Sequence, residues 1–327
     1  MSLNRTLSTA PMMDWSDRHC RYFWRMLTKN TLLYTEMVTG AALTHAKNIE
    51  RFLDFSAEEH PVALQVGGSD TTELSHAAKL ANQWNYDELN LNVGCPSDRV
   101  QNGMIGAILM LHPEKVADAF KAMSDIANMP VTVKHRIGID QQDSYSFARD
   151  FVGQIHDAGC RVFIVHTRSA ILKGLSPKEN REIPPLKHNY AYQLKKDFPD
   201  CEIIINGGIK TLDESLAHLD HVDGVMLGRE AYQNPMVLSQ ADSKIFNQID
   251  PYSNAVDFLN ATLPYIEQQV SEGVSAKYML KHLLGIIQGV PNAKAFRRFL
   301  SENMHKESVT EQLLSQAINQ YLVPSAA

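Results

Sequence analysis

Eight times between the amino terminus and about residue 245, a short apolar, β-branched run precedes a longer amphipathic stretch. The expected strands are residues 6–12, 32–37, 62–66, 88–92, 131–136, 162–166, 202–206 and 224–227. Between them, residues 71–84 place Leu74, Ala77, Ala78 and Ala81 on one helical face. Residues 113–127 open on Pro113 and turn Val116, Ala119, Phe120 and Met123 inward. Repeated strand-then-helix units require parallel pairing with crossover helices. Several runs are apolar at nearly every position, as in strands covered on both faces. Eight such units fit a closed (β/α)8 TIM barrel, an α/β fold, better than an open doubly wound sheet.

After about residue 245 the strand signals stop, and residues 256–270, 276–288, 293–304 and 310–321 read as helices. This predicts a barrel over 1–245 and an all-helical domain over 246–327, with Asp250-Pro251 near the junction.

In a barrel, working residues collect at the carboxyl ends of the strands. All the expected strands but the second, which carries Glu36 inside it, end on polar, small or unusual residues. The first runs into Pro11, Met12 and Met13; the third carries Gln65; the fourth runs through Asn90 and Asn92 into Gly94-Cys95-Pro96, with Asp98 close by. The fifth carries Lys134 and Arg136, the sixth ends in His166, the seventh in Asn206-Gly207-Gly208 and the eighth in Gly228-Arg229. Glycines in adjacent βα turns let backbone N–H groups approach an anion, and Arg229 adds a planar charged fork. Asn206, Gly207, Gly208, Gly228 and Arg229 thus form an expected phosphate site.

Lys134 lies in an apolar strand and needs a partner. Three roles are open to it: Schiff-base nucleophile, cation beside the polar edge of a flavin, or ion pair with Glu36. Cys95 sits in a turn on the catalytic face, where a thiol serves as nucleophile, metal ligand or acid. Cys20, Cys160 and Cys201 fit inert core positions.

The formal charge of −6 and pI near 6.1 exclude a global positive field. Any nucleic-acid surface must therefore be local. Residues 277–306 hold six Lys/Arg (Lys277, Lys281, Lys294, Arg297, Arg298, Lys306) against one acidic residue, Glu302. That stretch, and Lys178, Asn180 and Arg181 in the long connection 167–186, are the expected RNA contacts. The four cysteines form no CxxC pair, which argues against structural zinc and a disulfide framework. With no signal-like leader and no apolar run of about 18 residues, no membrane span is expected. A reducing, cytoplasmic setting follows.

With these residues in view, the chain resembles the tRNA-dihydrouridine synthases, specifically the A subfamily. The resemblance rests on Ala10-Pro11-Met12-Met13, Leu91-Asn92-Val93-Gly94-Cys95-Pro96, Val133-Lys134-His135-Arg136, Val165-His166-Thr167-Arg168, Ile205-Asn206-Gly207-Gly208 and Val225-Met226-Leu227-Gly228-Arg229. The segment from Gly174 to Arg181 is similar to the subfamily's version of its loop. The resemblance implies a non-covalent FMN in the barrel mouth and NADPH as reductant. Pro11, Met12 and Met13 would line the ring, with Gln65, Lys134 and His166 at its polar edge. It implies hydride transfer to C6 of a D-loop uracil at position 20 or 20a, with a proton from Cys95 to C5. Asn92 or Arg136 would meet the tRNA and stabilise charge on the uracil carbonyl. A monomer acting on tRNA is expected. The rivals are an FMN barrel that reduces a free pyrimidine or enone, a Schiff-base lyase using Lys134, and a non-catalytic tRNA-binding protein.

Overall fold

The computed structural model describes residues 3–97, 103–306 and 312–322. Asp98, and Thr310 and Glu311 at the start of the last expected helix, lie outside these residues. Among the described residues, eight parallel strands form one sheet: β1 (Leu7–Thr9), β2 (Leu33–Thr39), β3 (Val62–Gly67), β4 (Glu88–Val93), β5 (Val131–Arg136), β6 (Val162–His166), β7 (Glu202–Asn206) and β8 (Gly224–Leu227). Their order is β1-β8-β7-β6-β5-β4-β3-β2. The two edges meet. Thr9 N–H donates to the Leu32 carbonyl at 3.0 Å, and Leu32 N–H to the Leu7 carbonyl at 3.1 Å. The expected barrel is thus closed through a parallel bridge between Ser8 and Leu32.

Side-chain alternation explains why these sequences make this barrel. Outward residues such as Leu64, Leu89, Leu91, Val133, Val165 and Ile205 are fully buried against the surrounding helices, in one core with Leu74, Val116 and Phe151. The interior is divided. Tyr34, Ala63, Ile164, Ile204 and Met226 fill one part with apolar groups. Gln65, Glu88, Asn90, Asn92 and Thr132 give the rest a buried polar lining.

Two of the boundaries that differ from expectation have a clear local cause. The first strand ends early, because Ala10 N–H makes the last ladder bond, to the Leu227 carbonyl, and Pro11 has no N–H to continue it. The expected helix over 276–288 stops at Leu283. Just beyond it the chain presses on the barrel: a Cβ at Gly285 would stand 2.7 Å from the Gln233 carbonyl oxygen.

The four helices Ala255–Ser271, Lys277–Leu283, Ala293–Asn303 and Gln312–Tyr321 follow the barrel. The first two dock on the helix Arg18–Leu27 that follows β1. Tyr265 stacks on Tyr22 with centroids 3.8 Å apart, and its hydroxyl meets His19 Nδ1 at 2.8 Å. Asp17, which caps that helix, takes Lys281 and His282 at 2.9 Å each. Phe258, Leu280, Leu283 and Phe296 join the outer core of the barrel. No helix among the described residues is long and apolar enough to cross a membrane.

Candidate active site at the barrel mouth

β4 delivers Cys95. Its penultimate residue, Asn92, accepts hydrogen bonds from Gly94 N–H and Cys95 N–H at Oδ1, both at 3.0 Å, and donates from Nδ2 to Gln65 Oε1 at 2.7 Å. The turn is gripped from the other side by Ala107 N–H on the Cys95 carbonyl at 2.8 Å. Gly106 makes that grip possible. It sits at φ 79°, and a Cβ there would stand 2.4 Å from the Cys95 oxygen. Cys95 is half-buried, whereas Cys20, Cys160 and Cys201 are buried in the core. Burial pushes the Cys160 thiol up to about 12 and Cys201 to about 11.

β5 supplies two cations beneath that thiol. Lys134 forms no ion pair among the described residues. Its Nζ donates to Asn206 Oδ1 at 3.3 Å, and Glu36, the expected partner, instead accepts from Asp14 N–H. Burial, with Arg136 adding to it, lowers Lys134 to about 7, and the nearby Cys95 opposes the shift. The consequence for stability has a definite sign. Below pH 7 the proton is held in folded and unfolded chains alike, and the buried charge counts fully against the fold. Between about 7 and the ordinary 10.5 only the unfolded chain keeps it, so stability rises with pH. Lys134→Met is therefore expected to be more stable than wild type at pH 6, by a margin that shrinks towards pH 10. Denaturant titrations across that range check this; a margin independent of pH would contradict it.

Arg136 is 2% exposed and spends its guanidinium on three carbonyls. Nε reaches Gly94 at 2.9 Å, and Nη1 reaches Ser169 at 3.0 Å and Asn180 at 3.1 Å. It clamps the Cys95 turn to the 167–187 loop. Its Nε and Nη1 are thus committed to backbone, a scaffold role in addition to the one expected of it on a uracil carbonyl.

His166, at the end of β6, has no side-chain hydrogen bond among the described residues. Burial, helped by Arg136, Lys134, Arg168 and Arg181, holds it neutral, well below its ordinary range. Among the described residues, Arg168 and Arg181 each keep a buried Nε–H without an acceptor. The mouth is therefore strongly positive and has unused donors, features suited to an anion.

The glycine turns after β7 and β8 close the mouth. Gly207 and Gly208 have φ of 121° and 77°. Asn206 donates to the Met226 carbonyl at 2.8 Å and so ties the two turns together. A Cβ on Gly228 would have only Asn206 Nδ2, at 3.9 Å, for a neighbour, so this glycine borders open space. At the start of the helix Leu212–Leu219 the Glu214 N–H donates to Thr211 Oγ1, and the Glu214 carboxylate accepts from the Lys210 and Thr211 N–H groups. Arg229 pairs with Glu182 at 2.6 Å and donates to the Arg181 carbonyl at 3.3 Å.

Pro11 and Met12 are half-buried at the mouth, and Met13 is 57% exposed. Lys178 is exposed and Arg181 half-buried. Asn180 corrects an expectation. It is fully buried, and its amide accepts from Ile171 N–H at 2.7 Å and donates to the Ile171 carbonyl at 2.8 Å, so it shapes the loop instead of facing RNA. Lys281, read as part of a free basic face, is held by Asp17. Arg297 donates to the Ile287 carbonyl at 3.1 Å; Arg298 is exposed and pairs with Glu302 at 2.7 Å. Sequence reasoning did not single out Gly106, Glu88 or Thr132, and gave Arg168 no role.

The dihydrouridine synthase (Dus) family profile matches residues 8–322. The tRNA-dihydrouridine(20/20a) synthase of Escherichia coli K12 is 56% identical over 312 residues, covering 95% of this chain and 90% of that protein. The protein of the same name from Pseudomonas putida is 56% identical over 315 residues, covering 96% and 94%. Among solved structures, the old yellow enzyme homologue of Zymomonas mobilis matches with a TM-score of 0.54 at 12% identity, covering 75% of this chain and 93% of that one. Morphinone reductase matches at 0.52 and 10% identity, covering 78% and 89%, which supports the shared barrel fold. The chain belongs to the dihydrouridine synthase family.

Proposed function

We propose that this protein is a flavin-dependent tRNA-dihydrouridine synthase that reduces uridine at positions 20 and 20a of the tRNA D-loop. It acts as a cytoplasmic monomer. The observation that carries the reading is a half-buried thiol gripped at the mouth of a family barrel, among Lys134, Arg136 and Arg181.

The donor set fits FMN. Among the described residues, Lys134 has no carboxylate, His166 has no side-chain partner, Gly228 borders open space, and the Nε–H groups of Arg168 and Arg181 have no acceptor. Asn206, Gly207, Gly208, Gly228 and Arg229 would hold its phosphate. Gln65, Lys134 and His166 would face its polar edge, and Pro11, Met12 and Met13 its ring. When bound and reduced by NADPH, the flavin supplies the hydride that saturates uracil C6.

Cys95 gives its proton to C5, and solvent restores that proton afterwards. A D-loop uridine is cheap to unstack and so can reach a recessed mouth. Residues 1–245 carry the chemistry and 246–327 bind tRNA, with Lys178, Arg181 and Asn92 close to the entering nucleotide. The test is flavin reoxidation. Flavin-loaded protein bleached by NADPH should regain colour anaerobically with unmodified tRNA and not with free uridine. Reoxidation by free uridine alone would favour the free-pyrimidine reductase.

On the helical segment, the accessible cations Lys294 and Arg298 are better probes than Arg297, which props a carbonyl. Lys294→Glu with Arg298→Glu should weaken tRNA binding and flatten its log–log salt dependence by about 0.7–0.9 for each phosphate no longer neutralised. An unchanged slope would show that tRNA does not lie on this surface.

A further inference from the structure

Inside the barrel, one chain of buried polar side chains runs from the floor to the Cys95 turn. Arg5 Nε donates to Glu88 Oε2 at 2.6 Å. The Tyr34 hydroxyl and Thr132 Oγ1 donate to Glu88 Oε1, the latter at 2.7 Å. Asn90 Nδ2 donates to Thr132 Oγ1 at 2.8 Å, and Gln65 Nε2 to Asn90 Oδ1 at 2.8 Å. Asn92 Nδ2 donates to Gln65 Oε1 at 2.7 Å, and Asn92 Oδ1 receives the Gly94 and Cys95 N–H groups. Glu88, Asn90 and Thr132 are fully buried and Gln65 is nearly so, which shields them from bulk solvent.

The direction of this chain follows from proton counting. A carboxylate paired with Arg5 offers only acceptors, so Thr132 must donate its single hydroxyl proton to it. The Thr132 oxygen can then only accept, which turns the NH2 of Asn90 towards it. Asn90 is left presenting oxygen to Gln65, Gln65 presenting oxygen to Asn92, and Asn92 presenting oxygen to the turn. The backbone N–H groups of Gly94 and Cys95 demand that same orientation from the other end. We infer that Glu88 is a positioning residue: through Thr132, Asn90 and Gln65 it fixes the amide orientation of Asn92 and thereby the seat of Cys95. The inference deepens the function proposed above and rests on it for the role of the thiol.

Glu88→Gln tests this directly. A glutamine whose oxygen stays on Arg5 turns an NH2 on Thr132. Either a donor–donor conflict sits there, or the whole chain reverses and Asn92 meets the turn with its NH2. Both loosen the turn. The readout is the alkylation rate of Cys95 by iodoacetamide in the native protein, resolved by peptide mass spectrometry; the other three cysteines are buried. Glu88→Gln is expected to raise that rate about tenfold. Thr132→Val, which cuts the relay midway, should raise it similarly and keeps the test alive if the first variant does not fold. Glu202→Gln disturbs the same Arg5, at the 43%-exposed end of its ion pairs, and serves as the control that leaves the rate unchanged. In tRNA reduction the Glu88 and Thr132 variants should lose kcat with KM for tRNA little changed. Wild-type alkylation rates in every variant that folds would overturn the inference. Because alkylation needs neither flavin nor tRNA, that failure is distinguishable from a failure of the proposed reaction.

Discussion

Cys95→Ala is expected to cut uridine reduction by about 10²–10⁴-fold, the usual contribution of a placed general acid. Stability and flavin binding should change little. The expectation rests on geometry. The turn is held through the Cys95 backbone N–H and carbonyl, which alanine retains, and the bonds from Asn92 and Ala107 do not involve sulfur. Only the proton is lost. Single-turnover kinetics with pre-reduced flavin isolate that step. If the slow step is proton delivery, Cys95→Ser should recover little, since a hydroxyl is a far poorer acid than a thiol at neutral pH. Near-normal turnover by the alanine variant would remove Cys95 from the chemistry.

Arg136→Met is expected to destabilise the protein by on the order of 3 kcal/mol, the loss expected from charge-assisted hydrogen bonds to otherwise buried carbonyls. Two effects compete. Burial lowers the Arg136 guanidinium to about 10, a sign that holding this charge inside is costly, and methionine would relieve that cost. Against it, the Gly94, Ser169 and Asn180 carbonyls would lose their donor. They belong to loops fixed at both ends and cannot all turn to water, so the second effect wins. Thermal unfolding reads the stability, and limited proteolysis within 167–187 should speed up. A variant as stable as wild type, with that loop still protected, would show that the clamp is dispensable.

The barrel was legible because strand and helix periods alternate without interruption, and six of the eight strands begin where the apolar runs begin. The mouth residues were legible because polar and glycine positions recur at the same strand end. The register confirms that levelling, with Arg136 beside His166 and His166 beside Asn206. What individual polar residues do there was not legible. Asn180 and Arg136 look like surface or substrate groups in sequence, yet both build the loop, because what a buried amide or guanidinium bonds depends on backbone from distant segments. Gly106 carried no signal, since its requirement comes from the close approach of Cys95. One clue was present and unread: Glu88-Leu89-Asn90-Leu91-Asn92-Val93 alternates strictly. A polar face of this regularity, pointing into a barrel, implies a connected network.

The central claim, reduction of a tRNA uridine, is tested most directly by incubating the flavin-loaded protein with NADPH and unmodified tRNA. Nucleoside and fragment mass analysis then follows. The account predicts a gain of two hydrogen masses confined to the D-loop uridines at positions 20 and 20a. A flavin that NADPH reduces, with tRNA that gains no mass, would contradict it.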